Sequence, residues 1–141
     1  MKRVLTILTL AGFLSGCISA PAASIDQRLA GKSDTEARKI LAYDCYREAK
    51  WPLHNSSAYK NAAARRRSQM DNNPGTEYRE LVSLCGKMRS ASDQAKASLA
   101  NDCQSLIQQR SRRYGAKAAE HLRRVADICS RMTGLTVGIA S

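Results

Sequence analysis

From residue 34 onward, apolar side chains recur at three- and four-residue steps with polar positions between them, the period of amphipathic helices. The first predicted helix runs from Asp34 to about Lys50, with Ala37, Ile40, Leu41, Cys45 and Ala49 on one face. Ser33-Asp34-Thr35-Glu36 reads as its capping box, in which the serine hydroxyl and the glutamate carboxylate satisfy free amides at the helix start. Trp51-Pro52 is expected to end it, because proline lacks the amide donor and biases its predecessor away from helical geometry. A weaker helix is predicted from about Ala58 to Met70, alanine-rich and carrying Arg65-Arg66-Arg67. It stops at the turn signal Asp71-Asn72-Asn73-Pro74-Gly75.

Thr76 should cap a third helix whose stripe is Tyr78, Leu81, Val82, Cys85 and Met88. After a break at Ser90 to Asp93, the longest helix carries Ala95, Leu99, Cys103, Leu106, Ile107 and Arg110 at helical spacing. Tyr114-Gly115 is expected to turn the chain into a fifth helix through Ala118, Leu122, Val125, Ala126, Cys129 and Met132, closed by Thr133-Gly134. The apolar tail, 135–141, is expected to fold back, and Leu135-Thr136-Val137 is too short for its period to decide between helix and strand. The fold class is therefore all-α: a small bundle of four to five helices over residues 34–134.

The first 33 residues follow another pattern. Lys2 and Arg3 precede an apolar run from Val4 to Leu14, and Leu14-Ser15-Gly16-Cys17 follows directly. This stretch resembles a bacterial lipoprotein signal, with residues 1–16 removed and Cys17 the lipidated first residue of the mature chain. The apolar run is short of the roughly 20 residues that a spanning helix needs. Ile18 in place of an aspartate implies, by the same resemblance, the outer membrane of a Gram-negative envelope, facing the periplasm. Residues 17–33 read as a lipidated N-terminus and flexible tether, rich in Ala, Ser and Gly and containing Pro21, with Ile25 and Leu29 too few to form a core element.

Assigning Cys17 to lipid leaves an even set, Cys45, Cys85, Cys103 and Cys129, each on the apolar face of a predicted helix. Export makes their oxidation reasonable. Cys103 and Cys129 lie at similar distances from the turn at Gly115 and so at one height in an antiparallel hairpin, which favours their pairing and that of Cys45 with Cys85. The rival pairs Cys85 with Cys103 and Cys45 with Cys129. No C-x-x-C or H-x-x-x-H spacing supports a metal, and no cofactor motif is visible.

The chain carries 23 Lys and Arg against 12 Asp and Glu, a formal charge of +11 that loss of Lys2 and Arg3 lowers to +9. Such a balance points to anionic partners, and export argues against nucleic acid among them. Arg110, Arg112, Arg113, Arg123 and Arg124 flank the turn at Gly115 with only Glu120 and Asp127 near them, and form the candidate anion-binding group. Arg65-Arg66-Arg67 with Lys60 is a second basic run. His121, with Arg123 and Arg124 two and three positions on, is expected at the surface. Asp44 and Glu48 share one helix face with Arg47 and Lys50 beside them, the pattern of a solvated ion-pair surface. Trp51, Tyr43, Tyr46 and Tyr59 form an aromatic group near the first turn.

No nucleophile and base occur together, so no catalytic residue is assigned. The function expected is that of a non-enzymatic, lipid-anchored, basic envelope lipoprotein. It would be held to the membrane through Cys17 and would bind an anionic surface polymer or an acidic protein of an envelope, secretion or conjugation assembly. The alternative is a small peptidoglycan-directed enzyme or inhibitor, dependent on Glu48 or Glu77.

Overall fold

A computed structural model describes residues 23–139. The stretch 1–16 read as a lipoprotein signal, Cys17 and the end of the tail lie outside the described residues. The helices are α1 (Ile25–Leu29), α2 (Asp34–Ala49), α3 (Trp51–His54), α4 (Ser57–Lys60), α5 (Ala64–Asn72), α6 (Thr76–Arg89), α7 (Asp93–Tyr114) and α8 (Ala119–Thr133). A 3-10 turn, Gly115–Ala118, joins the last two. The described residues contain no strand, and the protein is all-α. None of the described helices is long and apolar enough to cross a membrane.

Four helices, α2, α6, α7 and α8, make the bundle, with α2 packed chiefly on α6 and α8, and α7 on α8. The predicted stripes meet in its interior. Leu41, Cys45 and Ala49 face Leu81, Cys85 and Met88, while Leu99, Cys103 and Ile107 join Leu122, Val125, Ile128 and Cys129. Cys45 pairs with Cys85 (Cα–Cα 6.0 Å) and Cys103 with Cys129 (6.5 Å), both as disulfides. Gly115 makes the second pairing reachable. Its backbone, with φ of 60°, reverses the chain where a side-chain-bearing residue would be strained.

The segment read as a tether departs from that reading after residue 23. Ser24 caps α1 in a full capping box with Gln27, and Ile25 and Leu29 pack half-buried against the core. A five-residue helix is unstable alone, so its order comes from tertiary contacts. Arg28 Nη1 donates to Asp44 Oδ1 at 2.9 Å, and Arg131 pairs with Asp26 at 2.8 Å. The linker in the described structure is thus only the turn between α1 and α2, closed by the amide of Lys32 on the carbonyl of Leu29.

Trp51-Pro52 ends α2 but not helical geometry. Pro52 sits in the first turn of α3, where its missing amide has no helical acceptor to satisfy. The weak second helix is two pieces, α4 and α5. Ser56 caps α4, accepting from the amide of Tyr59 at 3.1 Å. Thr76 is the first residue of α6 and the cap position belongs to Gly75, whose φ of 93° suits glycine. The tail folds back as expected. Val137 is buried and its amide donates to Ser130 Oγ, while Gln104 on α7 both donates to and accepts from Gly138.

Candidate functional site

The five arginines expected to form one anion-binding group have different fates. Arg110, on the buried face of α7, is 2% exposed, and its Nη2 donates to the backbone carbonyl of Glu77 at 2.6 Å. It is a core residue, and its assignment to an anion-contact surface is corrected. Burial pulls its pKa down, and the charges of Glu77 and Glu80 act to hold it up. Arg113 donates to Glu77 Oε1 at 2.9 Å, and the Tyr114 hydroxyl donates to the other carboxylate oxygen. Arg113 and Lys117 each lie 5.6 Å from the centroid of the Tyr114 ring. Glu77, 33 to 37 residues away in sequence, is therefore the internal counterion of this corner.

Arg124 is likewise occupied. Its Nε donates to Glu48 Oε1 and its Nη1 to Glu120 Oε1, both at 2.6 Å. Glu48 also bonds His121, its Oε2 lying 2.7 Å from Nδ1. His121 is 1% exposed, contrary to the surface position expected of it. Its ring stacks on Trp51 with centroids 4.6 Å apart, and Tyr114 meets Trp51 edge-on at 5.4 Å. Burial raises the Glu48 pKa, but the hydrogen bonds from His121 and Arg124 outweigh it, and the carboxyl ends below its ordinary value. His121 Nε2 is buried without a hydrogen-bond partner. Asp44 is buried too and held by Arg28, so the Asp44–Glu48 face is an internal polar seam rather than a solvated one.

Sequence reasoning overlooked this seam, although one signal was present. His121 stands three residues after Ala118 and four before Val125, on the apolar stripe of α8 itself. A histidine in that register belongs inside, and once inside it requires a polar partner.

Arg112 and Arg123 remain exposed, and no carboxylate bonds them among the described residues. Arg112 lines an open groove of about 790 Å³ along α6 and α7, together with Glu80, Asp102, Ser105, Gln108 and Arg113. Arg123 lies on the outer face of α8, away from the buried stripe.

The second basic run is presented differently. α5 has no buried residue and packs extensively on no other described element. It is pinned at two points. Asp71 lies 2.9 Å from His54 Nε2 and accepts from the Tyr59 hydroxyl at 2.8 Å, and these bonds hold its pKa down. Arg67 donates to the carbonyls of Tyr59 and Lys60 at 3.1 and 2.7 Å and lies over the Tyr59 ring. Arg65 and Arg66 are exposed, and no side-chain bond occupies them among the described residues.

The aromatic residues do not form one group. Trp51 packs on His121, Tyr46 is half-buried against the core, Tyr59 belongs to the α4–α5 arm, and Tyr43 is exposed. Among the described residues no three His, Cys, Asp or Glu side chains converge as a metal site would require. No family model, curated protein or solved structure matches this chain.

Proposed function

We propose that the chain is a non-enzymatic, basic lipoprotein of the bacterial envelope, anchored through Cys17, that binds an anionic polymer or an acidic protein through the α4–α5 arm. The supporting observation is α5 itself. A nine-residue helix with no buried side chain contributes almost nothing to the core, and helices of that length are marginal without packing. What α5 does is hold Arg65 and Arg66 in the open, with Arg67 spent on fixing the arm and Asp71 turned inward to His54 and Tyr59.

The charge inventory points the same way. Asp26, Asp34, Asp44, Glu48, Asp71, Glu77, Asp93, Glu120 and Asp127 each bind a cation or a histidine. Of the 23 Lys and Arg, only Arg28, Arg38, Lys96, Arg113, Arg124 and Arg131 form those pairs among the described residues. The internal acids are nearly used up, and the excess cations need outside counterions. Arginine suits a phosphate or carboxylate partner because its planar fork bonds two oxygens at once.

The alternative of a peptidoglycan-directed enzyme or inhibitor relied on Glu48 or Glu77. Both carboxylates are occupied by internal hydrogen bonds, Glu48 by His121 and Arg124 and Glu77 by Arg113 and Tyr114, which fits them poorly for proton transfer.

Binding of the purified chain to isolated envelope fractions tests the proposal. Binding should weaken as salt rises from low to physiological strength, because exposed pairs are screened over roughly 10 Å. Arg65→Glu with Arg66→Glu should abolish it, and Arg112→Glu with Arg123→Glu should reduce it less. Salt-insensitive binding, or equal loss in both double variants, would refute the arm as the contact.

A further inference from the structure

A separate surface lies on the outward face of α2. Lys39, Tyr43 and Arg47 stand at four-residue steps and so form one row along the helix. All three are exposed, and Tyr43, at 62%, is the most exposed of the large apolar and aromatic side chains described. Neither Lys39 nor Arg47 bonds a carboxylate among the described residues. Glu36 lies three residues before Lys39, but its carboxylate is taken by the amide and hydroxyl of Ser33. A shallow groove runs beside the row, lined by Gln27, Arg28, Lys32, Lys39, Ile40 and Tyr43.

The position of α1 decides what this face meets. α1 lies along α2, and Ala23, where the described chain begins, lines a cleft with Arg47, Glu48 and Arg124. Cys17 is six residues upstream, a span of at most about 20 Å of extended chain. Because α1 packs on the core, the anchored chain has far less slack than a tether reaching to residue 33 would give. A lipid on Cys17 would therefore hold the edge of the bundle that carries Arg47 close to the bilayer.

We infer that the Lys39–Tyr43–Arg47 face rests on the surface of the bilayer that holds the anchor, with the two cations on anionic phospholipid headgroups and the Tyr43 ring at headgroup depth. The inference rests on lipidation at Cys17 and is independent of the α4–α5 arm. Its chemistry is that of interfacial anchors: an amphipathic ring suits the boundary between water and acyl chains, and basic side chains near an anionic surface add attraction that salt screens.

The test reconstitutes the full lipidated chain in vesicles of phosphatidylcholine with or without phosphatidylglycerol, and follows flotation and hydroxyl-radical labelling of Tyr43 and Tyr59. The chain should float with both vesicles, and Tyr43 labelling should fall several-fold only where phosphatidylglycerol is present. Lys39→Glu with Arg47→Glu should restore the labelling without releasing the chain, since neither side chain supports the fold. Floating chains with Tyr43 fully labelled overturn the face and leave the anchor standing. Failure to float overturns the anchor and the face with it. Protection of Tyr59 in place of Tyr43 assigns the membrane to the arm and overturns the inference, and protection without vesicles assigns the face to a second copy of the chain and does the same.

Discussion

The two arginine-rich runs of this chain look alike in sequence and end in opposite states. Arg110, Arg112 and Arg113 close α7 in a bundle tied by two disulfides, where Arg110 is buried against the Glu77 carbonyl and Arg113 pairs with the Glu77 carboxylate at the surface. Arg65, Arg66 and Arg67 lie on α5, where the nearest acid, Asp71, is already committed to His54 and Tyr59. The difference is made by the neighbours, not by the arginines. In the bundle a buried charge must find a partner, so Arg110 and, through Glu77, Arg113 serve the fold, while Arg112 stays exposed. On the arm nothing is buried, so Arg65 and Arg66 stay open to an outside partner while Arg67 fixes the arm.

This contrast predicts that damage to the bundle is global and damage to the arm is local. The largest effect should come from Cys103→Ser. It opens a link between residues 26 apart, which the chain-entropy relation values at about 3 to 4 kcal/mol, a large share of a small domain's stability. Thermal unfolding monitored by circular dichroism should show a clear fall in Tm. Cys45→Ser should act similarly, since its link spans 40 residues.

Arg110→Ala should rank next, costing about 2 to 4 kcal/mol, because it empties a packed site and leaves the Glu77 carbonyl without its donor. Arg110→Met should cost less than Arg110→Ala. It keeps much of the volume and removes a buried charge together with its unpartnered Nη1. Denaturant unfolding of the two variants would reverse this order only if Arg110 were solvent-exposed.

Much of this bundle was legible in the sequence. The stripes on α2, α6, α7 and α8 and the glycine at 115 were enough to place the four core cysteines on facing helices and to favour the pairing that occurs. The short elements were less legible. α1 depends on a Ser24-Gln27 capping box and on Arg28 and Asp26 reaching partners on α2 and α8, contacts distant in sequence that no local period reports. The same reason hid the site. A run of arginines gives charge and spacing but not the carboxylates that other helices bring to it, and Glu48 with Glu77 decided which arginines stay free.

Glu48→Gln should have an intermediate effect, roughly 1 to 3 kcal/mol at neutral pH, since a neutral amide cannot match the charge-assisted bonds from His121 and Arg124. Because folding lowers the Glu48 pKa, the carboxylate's contribution is fully present above its unfolded value of about 4.5 and is lost as pH falls through the lower folded value. Stability measured from neutral into acid pH should therefore fall less steeply in Glu48→Gln than in the wild type. An identical slope in both proteins would remove Glu48 from the acid response.

The smallest stability effect belongs to the arm. Arg65→Glu with Arg66→Glu should move the unfolding free energy by no more than about 0.5 kcal/mol per substitution, the ordinary range for exposed positions without partners. A large fall in Tm would mean that these arginines serve the fold, and the contrast between the two runs would collapse.

In-cell photocrosslinking tests most directly the claim that the arm, and not the arginine corner near Gly115, meets the partner. A photoreactive residue placed at Gln69 on α5 should yield envelope adducts that vanish when Arg65 and Arg66 are reversed to glutamate, while the same probe at Gln109 on α7 should yield few. Adducts from position 109 with none from position 69, or adducts from 69 that persist after the charge reversal, would contradict the account.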